Sequence, residues 1–390
     1  MPFLRGSLGF ERFSVSGFEA SHFDDEHIEK MSQHAAGRSQ STAIENVHVG
    51  FLGGSHLFDQ QFDLSKNVIQ DAVHFGIRID TNQIPAAIRA AWLQMELDGI
   101  AKDNESGVPT KSQRKEAKEA VEQRCEVEAA SGKYRKMQQF SLLWDLNHEQ
   151  LYFGGSVGTA SGLCMELLER VFEVELRHIG AGTLAESWSI QNERYAEVDD
   201  LQPTSFTAVP LQGPYAWANE HAKTPEFLGN EFLLWLWWSL ENQTDTIALA
   251  DESEVTVMLN KTLAVECPAG ESGKDTFNAE APVQLPEARQ AIRCGKLPRK
   301  AGMTIVREGR QFDLVLQAER FGISGAKIHL EDDEEFENED RIDAIRLLSE
   351  TVDMMFYHFC DIRSSSQWNK TLPEIRNWVA SEASGNQAAA

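Results

Sequence analysis

The sequence predicts an α+β protein whose sheets are largely antiparallel and carry flanking helices. The first observation is a set of short segments in which apolar and polar residues alternate, the pattern of a strand with one buried face. The second is that several of these segments are separated by only a few turn-forming residues, which can join antiparallel strands but not parallel ones. Apolar residues at helical spacing occur between them. These patterns favour an antiparallel sheet with helices packed beside it.

The N-terminal part begins with a strand over 8–18, followed by a helix near 23–36. Acidic residues at 24–26 would occupy the first turn of that helix, where the positive end of the helix dipole favours them. A short strand near 47–52 ends at two glycines. From 72 to 80, apolar and polar residues alternate and predict a strand with one face buried.

Apolar residues at helical spacing then predict a helix that starts near Pro85, a favoured residue in a first turn, and is broken by Gly99, Gly107 and Pro109. A highly charged helix is expected over 111–130. Two short apolar segments, 140–146 and 151–153, read as a hairpin because only four polar residues separate them.

A helix near 159–173 and a strand near 174–180 come next, and 181–226 has few periodic signals, so we expect it to be irregular. The segment 227–240 contains three of the nine tryptophans and predicts a buried helix. It includes the longest apolar run, Phe232–Trp238, which is far shorter than the ~20 residues needed to cross a bilayer. No membrane association is therefore expected.

The C-terminal part is predicted to form two strands, a short helix, a strand hairpin and a long last helix. Gly295 suits the left-handed residue that ends many helices, and Glu308-Gly309 suits a tight hairpin turn. In chain order these elements are strands at 254–259 and 262–267, a helix at 284–294, strands at 301–307 and 311–317, and a helix at 341–362.

Composition places the chain among folded, soluble, intracellular proteins. It has 390 residues, 42% of them apolar, and its 36 Lys and Arg against 61 Asp and Glu give a formal charge of −25. The N-terminus lacks the apolar segment of a secretory signal. Five cysteines lie far apart, which is typical of reduced thiols in the cytosol. We expect a cytoplasmic protein, and no pattern predicts a metal or cofactor.

The charges are segregated along the chain. Residues 289–310 hold seven bases and one acid, residues 111–136 hold eight bases against five acids, and residues 331–340 hold eight acids and no base. Basic clusters in an acidic protein predict a positive face of the kind that binds a nucleic-acid backbone. The alternative is that these cations only decorate solvated helices.

Eight cations are the candidate binding residues. Lys296 and Lys300 are four residues apart, so an unbroken extended segment would present both on one face. Arg293 falls in the last turn of a predicted helix, where the dipole favours a cation even without a ligand. The cations on the charged helix are one turn apart and form a stripe. The full set is Arg293, Lys296, Arg299, Lys300, Lys111, Arg114, Lys115 and Lys118.

A catalytic alternative rests on Ser156, in the G-x-S-x-G motif Gly154–Gly158 between a strand and a helix. A nucleophile elbow has this context, and it would make the chain a serine hydrolase. A triad would also need a histidine, for which the candidates are His178, His221, His329 and His358. Against this hypothesis, the preceding strand belongs to a predicted hairpin, whereas an elbow ends a central parallel strand.

Several segments, taken together and in order, resemble the RdgC family of bacterial recombination-associated proteins. The resemblance is carried by a glycine-rich element after the second strand, by the basic helix, by the strand that ends in Trp-Asp, and by a C-terminal Gly-Lys-x-x-x-Lys element. These are Gly50–His56, Lys111–Arg114 with Lys118, Trp144-Asp145, Ile292 to Lys300, and Asp343-Ala344 before the last helix.

The resemblance implies an elongated, multi-part subunit that forms a ring-shaped homodimer around double-stranded DNA. Such a protein is not an enzyme. It binds DNA without sequence preference, modulates the recombinase RecA, and is cytoplasmic and nucleoid-associated. In this chain Lys296, Lys300 and the basic helix would face the DNA, and Tyr134 would lie at the tip where subunits meet.

The same reasoning divides the chain into five parts. In order they are 1–85, the N-terminal part of a central α+β domain; 86–150, a helical tip and dimerisation region; 151–282, the continuation of the central domain with insertions; 283–363, the basic strand hairpin and final helix; and 364–390, a flexible tail.

Overall fold

The computed structural model describes residues 3–38, 46–207, 215, 217, 224–270, 273–329 and 337–381. The chain folds into two compact units. The first unit comprises 1–16, 143–156 and 175–390, and the second comprises 17–142 and 157–174. The chain therefore leaves the first unit twice and returns to it twice.

Thirteen strands lie within the described residues. They are β1 (Leu8–Ser16), β2 (Val47–Leu52), β3 (Val68–Ile69), β4 (Ala72–Thr81), β5 (Lys136–Asp145), β6 (Gln150–Phe153), β7 (Glu175–Ile179), β8 (Thr246–Ala248), β9 (Glu254–Glu266), β10 (Lys274–Ala279), β11 (Leu297–Arg307), β12 (Arg310–Gln317) and β13 (Ile323–His329).

The same residues contain eleven α-helices. They are α1 (Asp25–Gln33), α2 (Leu64–Asn67), α3 (Ala86–Asp103), α4 (Lys111–Ala130), α5 (Thr159–Phe172), α6 (Ala181–Gln191), α7 (Tyr195–Asp199), α8 (Phe227–Asn242), α9 (Pro286–Arg293), α10 (Asn338–Arg363) and α11 (Trp368–Ala380). None of these helices is long and apolar enough to cross a membrane.

The first unit is built on a large antiparallel sheet with the strand order β10-β9-β11-β12-β13-β1-β6. Strand β7 also pairs with β1, and β8 with β9. The β11–β12 turn consists of Glu308 and Gly309, both at positive φ (53° and 76°), which matches the twist of a two-residue hairpin. The prediction of an α+β protein with antiparallel strands is confirmed.

The core of the first unit is formed where helices α8 and α10 bury aromatic side chains. Phe232 of α8 stacks on Phe321 at 6.1 Å and meets Phe356 of α10 edge-on at 5.6 Å. Helix α8 is buried on all sides from Leu228 to Ser239, as expected for a helix inside a large core, and its few buried polar residues include Glu231, which pairs with Arg363.

In the second unit, strand β4 lies between β2 and β5. All of its residues from Ala72 to Asp80 are buried, so the prediction of a strand with one exposed face is wrong. Chain segments after β2 contact this strand: the side chain of Asn67, at the end of α2, donates to the His74 carbonyl, and the Arg78 side chain donates to the Leu57 carbonyl. Burial lowers the pKa of His74 to about 4, which keeps the ring neutral.

Helices α3 and α4 pair through a small apolar cluster in which Trp92 meets Val121 and Cys125. Helix α3 continues through Gly99 to Asp103, so the predicted break is wrong for Gly99, whereas the helix does end before Gly107 and Pro109. A single glycine in open space lowers helix stability by only about 1 kcal/mol, too little to end a helix held by its neighbour.

The structure differs from three other expectations. The segment expected to be irregular contains α6 and α7, and the two strands expected at 254–267 are one strand, β9, with Lys261 at positive φ (63°). Helix α11 occupies 368–380, where a flexible tail was expected; that prediction is wrong for these residues because Trp368, Ile375 and Trp378 are buried. Most of the acidic run at 331–340 lies outside the described residues.

Candidate nucleic-acid interface

Helix α4 begins at a complete capping box. The Thr110 side chain accepts a hydrogen bond from the Gln113 backbone, and the Gln113 side chain accepts one from the Thr110 backbone at 2.9 Å. This reciprocal arrangement satisfies two donors that a helix start leaves free and fixes where the helix begins. The first helical residue is therefore Lys111, in agreement with the predicted start.

The buried face of α4 determines where its cations point. Ala117, Val121, Cys125 and Ala129 are buried at intervals of four residues, so one stripe of the helix packs inward. The guanidinium of Arg124 lies 4.3 Å from the ring centre of Trp92 and covers the edge of this contact. The remaining circumference of α4 is left to solvent.

The four predicted cations of α4 all lie on that exposed circumference, in its first two turns. They are one turn apart, so they form one continuous patch, which we call the α4 cationic patch: Lys111, Arg114, Lys115 and Lys118. Lys115 pairs with Glu119 at 3.5 Å. Among the described residues, the other three have no ion-pair partner.

The α4 cationic patch lies near the positive end of the helix dipole, where cations are unfavourable. The N-terminal end of a helix is positive, and a cation in the first turn, such as Lys111 or Arg114, is disfavoured by about 0.3–1 kcal/mol. Helix α4 has no acidic residue in its first turn. An anion bound at the patch would remove this unfavourable term and would also meet the dipole favourably.

The basic cluster around β11 is arranged differently, because carboxylates neutralise most of it. Lys296 Nζ lies 2.6 Å from Asp275, and the Lys296 side chain is only 12% exposed. The Arg299 guanidinium lies between Glu266, at 2.7 Å, and Glu319, at 2.6 Å. It also stacks 4.3 Å from the ring centre of Trp217.

Helix α9 uses its two arginines to hold neighbouring chain segments. Arg289 pairs with Glu241 at 2.8 Å and lies 4.3 Å from the ring centre of Trp378. Burial lowers the pKa of Arg289; Glu241 opposes this effect and Arg293 adds to it. Arg293 donates to the Ser381 carbonyl. These contacts fit the structural alternative that the sequence left open for cations at this helix end.

Lys300 is the exposed exception in this cluster. It lies opposite Gln317 of β12 and has no ion-pair partner among the described residues. The expectation that Lys296 and Lys300 share a face is wrong. It assumed an unbroken extended segment, whereas Lys296 precedes β11 and the strand register shifts between Pro298 and Lys300.

Tyr134 packs within its own subunit. It is half-buried against the α3–α4 cluster, with its ring 6.5 Å from that of Trp92, and Lys133 Nζ lies 5.5 Å from its ring centre. These contacts give Tyr134 a role in holding the helix pair together. Its place in a dimer interface stays a prediction.

Ser156 follows the short antiparallel strand β6, and its side chain is exposed. Its φ is not positive, unlike the strained residue at the sharp turn of a nucleophile elbow. Of the candidate histidines, His178 is bonded to Glu11 at 2.7 Å, and His221 lies outside the described residues. These features do not favour the hydrolase hypothesis.

Comparison with models of known protein families finds no match for this chain. No curated protein matches it either. The resemblance to the RdgC family stays a prediction, so the function must be inferred from the chain's own residues.

Proposed function

We propose that this chain binds double-stranded DNA through the phosphate backbone, without sequence preference, and that the α4 cationic patch is its main contact. The supporting observation is that Lys111, Arg114 and Lys118 are exposed and lack ion-pair partners among the described residues, at the positive end of a helix. Contacts from such cations to phosphates carry no base information, which fits binding without sequence preference.

The geometry also ranks the other candidate residues. Lys300 is a second candidate contact because it is exposed and free of carboxylates in the described part of the chain. Before binding a phosphate, Lys296 would have to break its ion pair with Asp275. Arg299 would have to break its ion pairs with Glu266 and Glu319. We therefore assign them a structural role.

The test compares duplex binding across a salt series for the wild type and a triple variant, Lys111→Gln/Arg114→Gln/Lys118→Gln. Each phosphate contact contributes about 0.9 to the slope of log K against log salt, so loss of three contacts should reduce the slope by about 2.7. Fluorescence anisotropy with a labelled duplex of random sequence gives both the affinity and the slope.

A matched control removes three exposed lysines of the first unit, in the variant Lys274→Gln/Lys327→Gln/Lys370→Gln. Both triple variants change the net charge by the same amount, so a general electrostatic effect would shift them equally. The proposal expects the control to keep the wild-type slope. Equal slopes in the two variants would contradict a specific role for α4.

The resemblance to the RdgC family adds a finer proposal: a ring-shaped homodimer that modulates RecA. A closed ring would hold circular duplex topologically, because it can slide off only at an end. Complexes on circular duplex should then survive a salt challenge that releases linear duplex, and equal release from both would contradict the ring.

A further inference from the structure

A polar cavity of about 220 Å³ lies in the second unit, between strands β2 and β4 and the turn after α1. Three arginines line it: Arg38 from the turn, Arg78 from β4, and Arg135 from the residue before β5. In the sequence Arg78 and Asp80 alternate with apolar residues, so they were expected on the solvent side of β4. Because Arg78 and Asp80 are buried instead, Arg78 lies in the same cavity as Arg38 and Arg135.

The β2–β4 register places the polar groups on one wall of the cavity. Arg78 lies opposite Gly50, and Asp80 lies opposite His48. The Arg78 side chain is 4% exposed and donates to Asp80 at 3.0 Å. Arg135 donates to the same carboxylate. One aspartate thus serves two arginines.

Arg38 has no carboxylate partner among the described residues. Its only side-chain hydrogen bond there is to the Ser32 carbonyl, at 3.0 Å. The three arginines and Asp80 together give the described lining a charge of +2. Such an excess of positive charge favours an anion, with Arg78 buried in the wall and Arg38 and Arg135 exposed at the rim.

Two glycines allow the Arg38 turn to approach the sheet. A Cβ atom on Gly50 would lie 2.5 Å from the Cα of Ala36, which is too close for any side chain. Gly37 has φ of +86°, and a Cβ there would meet the Arg78 guanidinium at 3.2 Å. Any other residue at position 50 would push the turn away from the sheet, and any other residue at position 37 would be strained by its positive φ.

Asn82 supplies a further polar group. Its Oδ1 is buried in the cavity wall and has no hydrogen-bond partner among the residues that the structure describes. Turning the amide by 180° would present Nδ2 to the cavity as an additional donor. A bound anion would satisfy a group that is otherwise unpaired.

We propose that this cavity binds a phosphate monoester group. A dianion matches the net charge of +2, whereas a single carboxylate would leave one positive charge uncompensated. The planar guanidinium groups of Arg38 and Arg135 can each offer two parallel donors to phosphate oxygens. The volume is below the roughly 300–1,000 Å³ of sites for whole drug-sized ligands, so the cavity fits a phosphate group and a few attached atoms.

The proposal does not depend on DNA binding by α4, and the test uses inorganic phosphate as the probe. Isothermal titration in a chloride buffer should show one saturable site per chain. Arg38→Gln and Arg135→Gln should each weaken binding by about tenfold or more, the effect of losing charge-assisted hydrogen bonds. Lys136→Gln is the control, because Lys136 is an exposed neighbour of Arg135 outside the cavity lining.

If Arg135→Gln destabilises the second unit, Arg38→Gln still tests the proposal, because the Arg38 side chain donates to only one described group, the Ser32 carbonyl. The proposal is overturned if the wild type shows no saturable binding below about 10 mM phosphate. It is also overturned if Arg38→Gln binds like the wild type, or if Lys136→Gln loses as much affinity as Arg38→Gln.

The source of the phosphate is found by competition against inorganic phosphate. Displacement by a 5′-phosphorylated duplex, but not by the same duplex with 5′-hydroxyl ends, would support the site and assign it to DNA ends. Displacement by glycerol 3-phosphate alone would support the site and assign it to a small phosphorylated metabolite.

Discussion

Replacing Asp59 by Asn should destabilise the second unit in a pH-dependent manner. Asp59 lies in the loop after β2 and is 6% exposed. Its carboxylate accepts hydrogen bonds from the backbone N–H groups of Ser55 at 2.7 Å and Gln61 at 3.1 Å, and from Lys66 Nζ at 2.6 Å. Burial raises the pKa of Asp59, but the Lys66 and backbone hydrogen bonds outweigh burial and lower it from 3.8 to about 2.

This lowered pKa translates into a free energy of unfolding. Because one pKa unit corresponds to 1.36 kcal/mol, the shift is worth about 2 kcal/mol. The pKa of Asp59 is lower in the folded state than in the unfolded state. Its contribution is therefore fully present above about pH 4 and is lost as the pH falls toward 2.

The assay is urea-dependent hydrogen exchange, read on peptides of the second unit at pH 7, 5, 4 and 3 after correction for intrinsic exchange. The free energy of unfolding should differ by about 2 kcal/mol between the wild type and Asp59→Asn at pH 7, and by about half of that at pH 3. Asp103→Asn serves as a control because Asp103 is exposed at the end of α3. A gap between wild type and Asp59→Asn that stays constant with pH would refute the reasoning.

Two further changes, Gly229→Ala and Glu231→Gln, test the core of the first unit by urea unfolding, and Gly99→Ala in the second unit serves as a control. Gly229→Ala should destabilise the first unit by about 3 kcal/mol or more, because the new Cβ would lie 1.8 Å from the Ala318 carbonyl oxygen. Gly99→Ala should instead stabilise α3 by about 0.5–1 kcal/mol, because the new Cβ would lie in open space. Glu231→Gln should lower the free energy of unfolding by about 3–5 kcal/mol, because it leaves the buried guanidinium of Arg363 without the carboxylate that now lies 2.6 Å away. A decrease of less than about 1 kcal/mol would contradict this prediction.

The elements that the sequence predicts well are those with strong local signals. Helix α4 begins at a capping box and ends close to the predicted residue, and the β11–β12 hairpin turns at the expected Glu308-Gly309 pair. In both cases the deciding residues are near neighbours in the chain. Local chemistry was enough to place them.

Helices α6 and α11 show why other elements were missed. Helix α6 starts with small residues and has a weak periodic pattern, and its burial depends on contacts with α8 and α10, which follow much later in the chain. Helix α11 did carry a signal, because Trp368, Thr371, Ile375 and Trp378 are buried at helical spacing. The internal Pro373 and polar neighbours obscured it.

For the candidate binding residues, too, features set by near neighbours in the chain could be predicted and long-range contacts could not. The exposure of the α4 cations could be predicted from helical periodicity alone. The neutralisation of Lys296 could not, because its partner Asp275 lies on β10, twenty-one residues earlier. Local charge counts identify basic segments, but only tertiary structure shows which cations are already paired.

The pairing of β1 has a consequence for biosynthesis. Leu8 lies opposite Ala326, so the start of β1 must wait for a partner made 318 residues later. At about 5–20 residues per second, that wait lasts roughly 15 to 60 seconds. During that time the buried residues Leu8 and Phe10 present an open edge, although β6 and β7 can already pair with the rest of β1. Such an edge is the kind of segment that chaperones protect from aggregation.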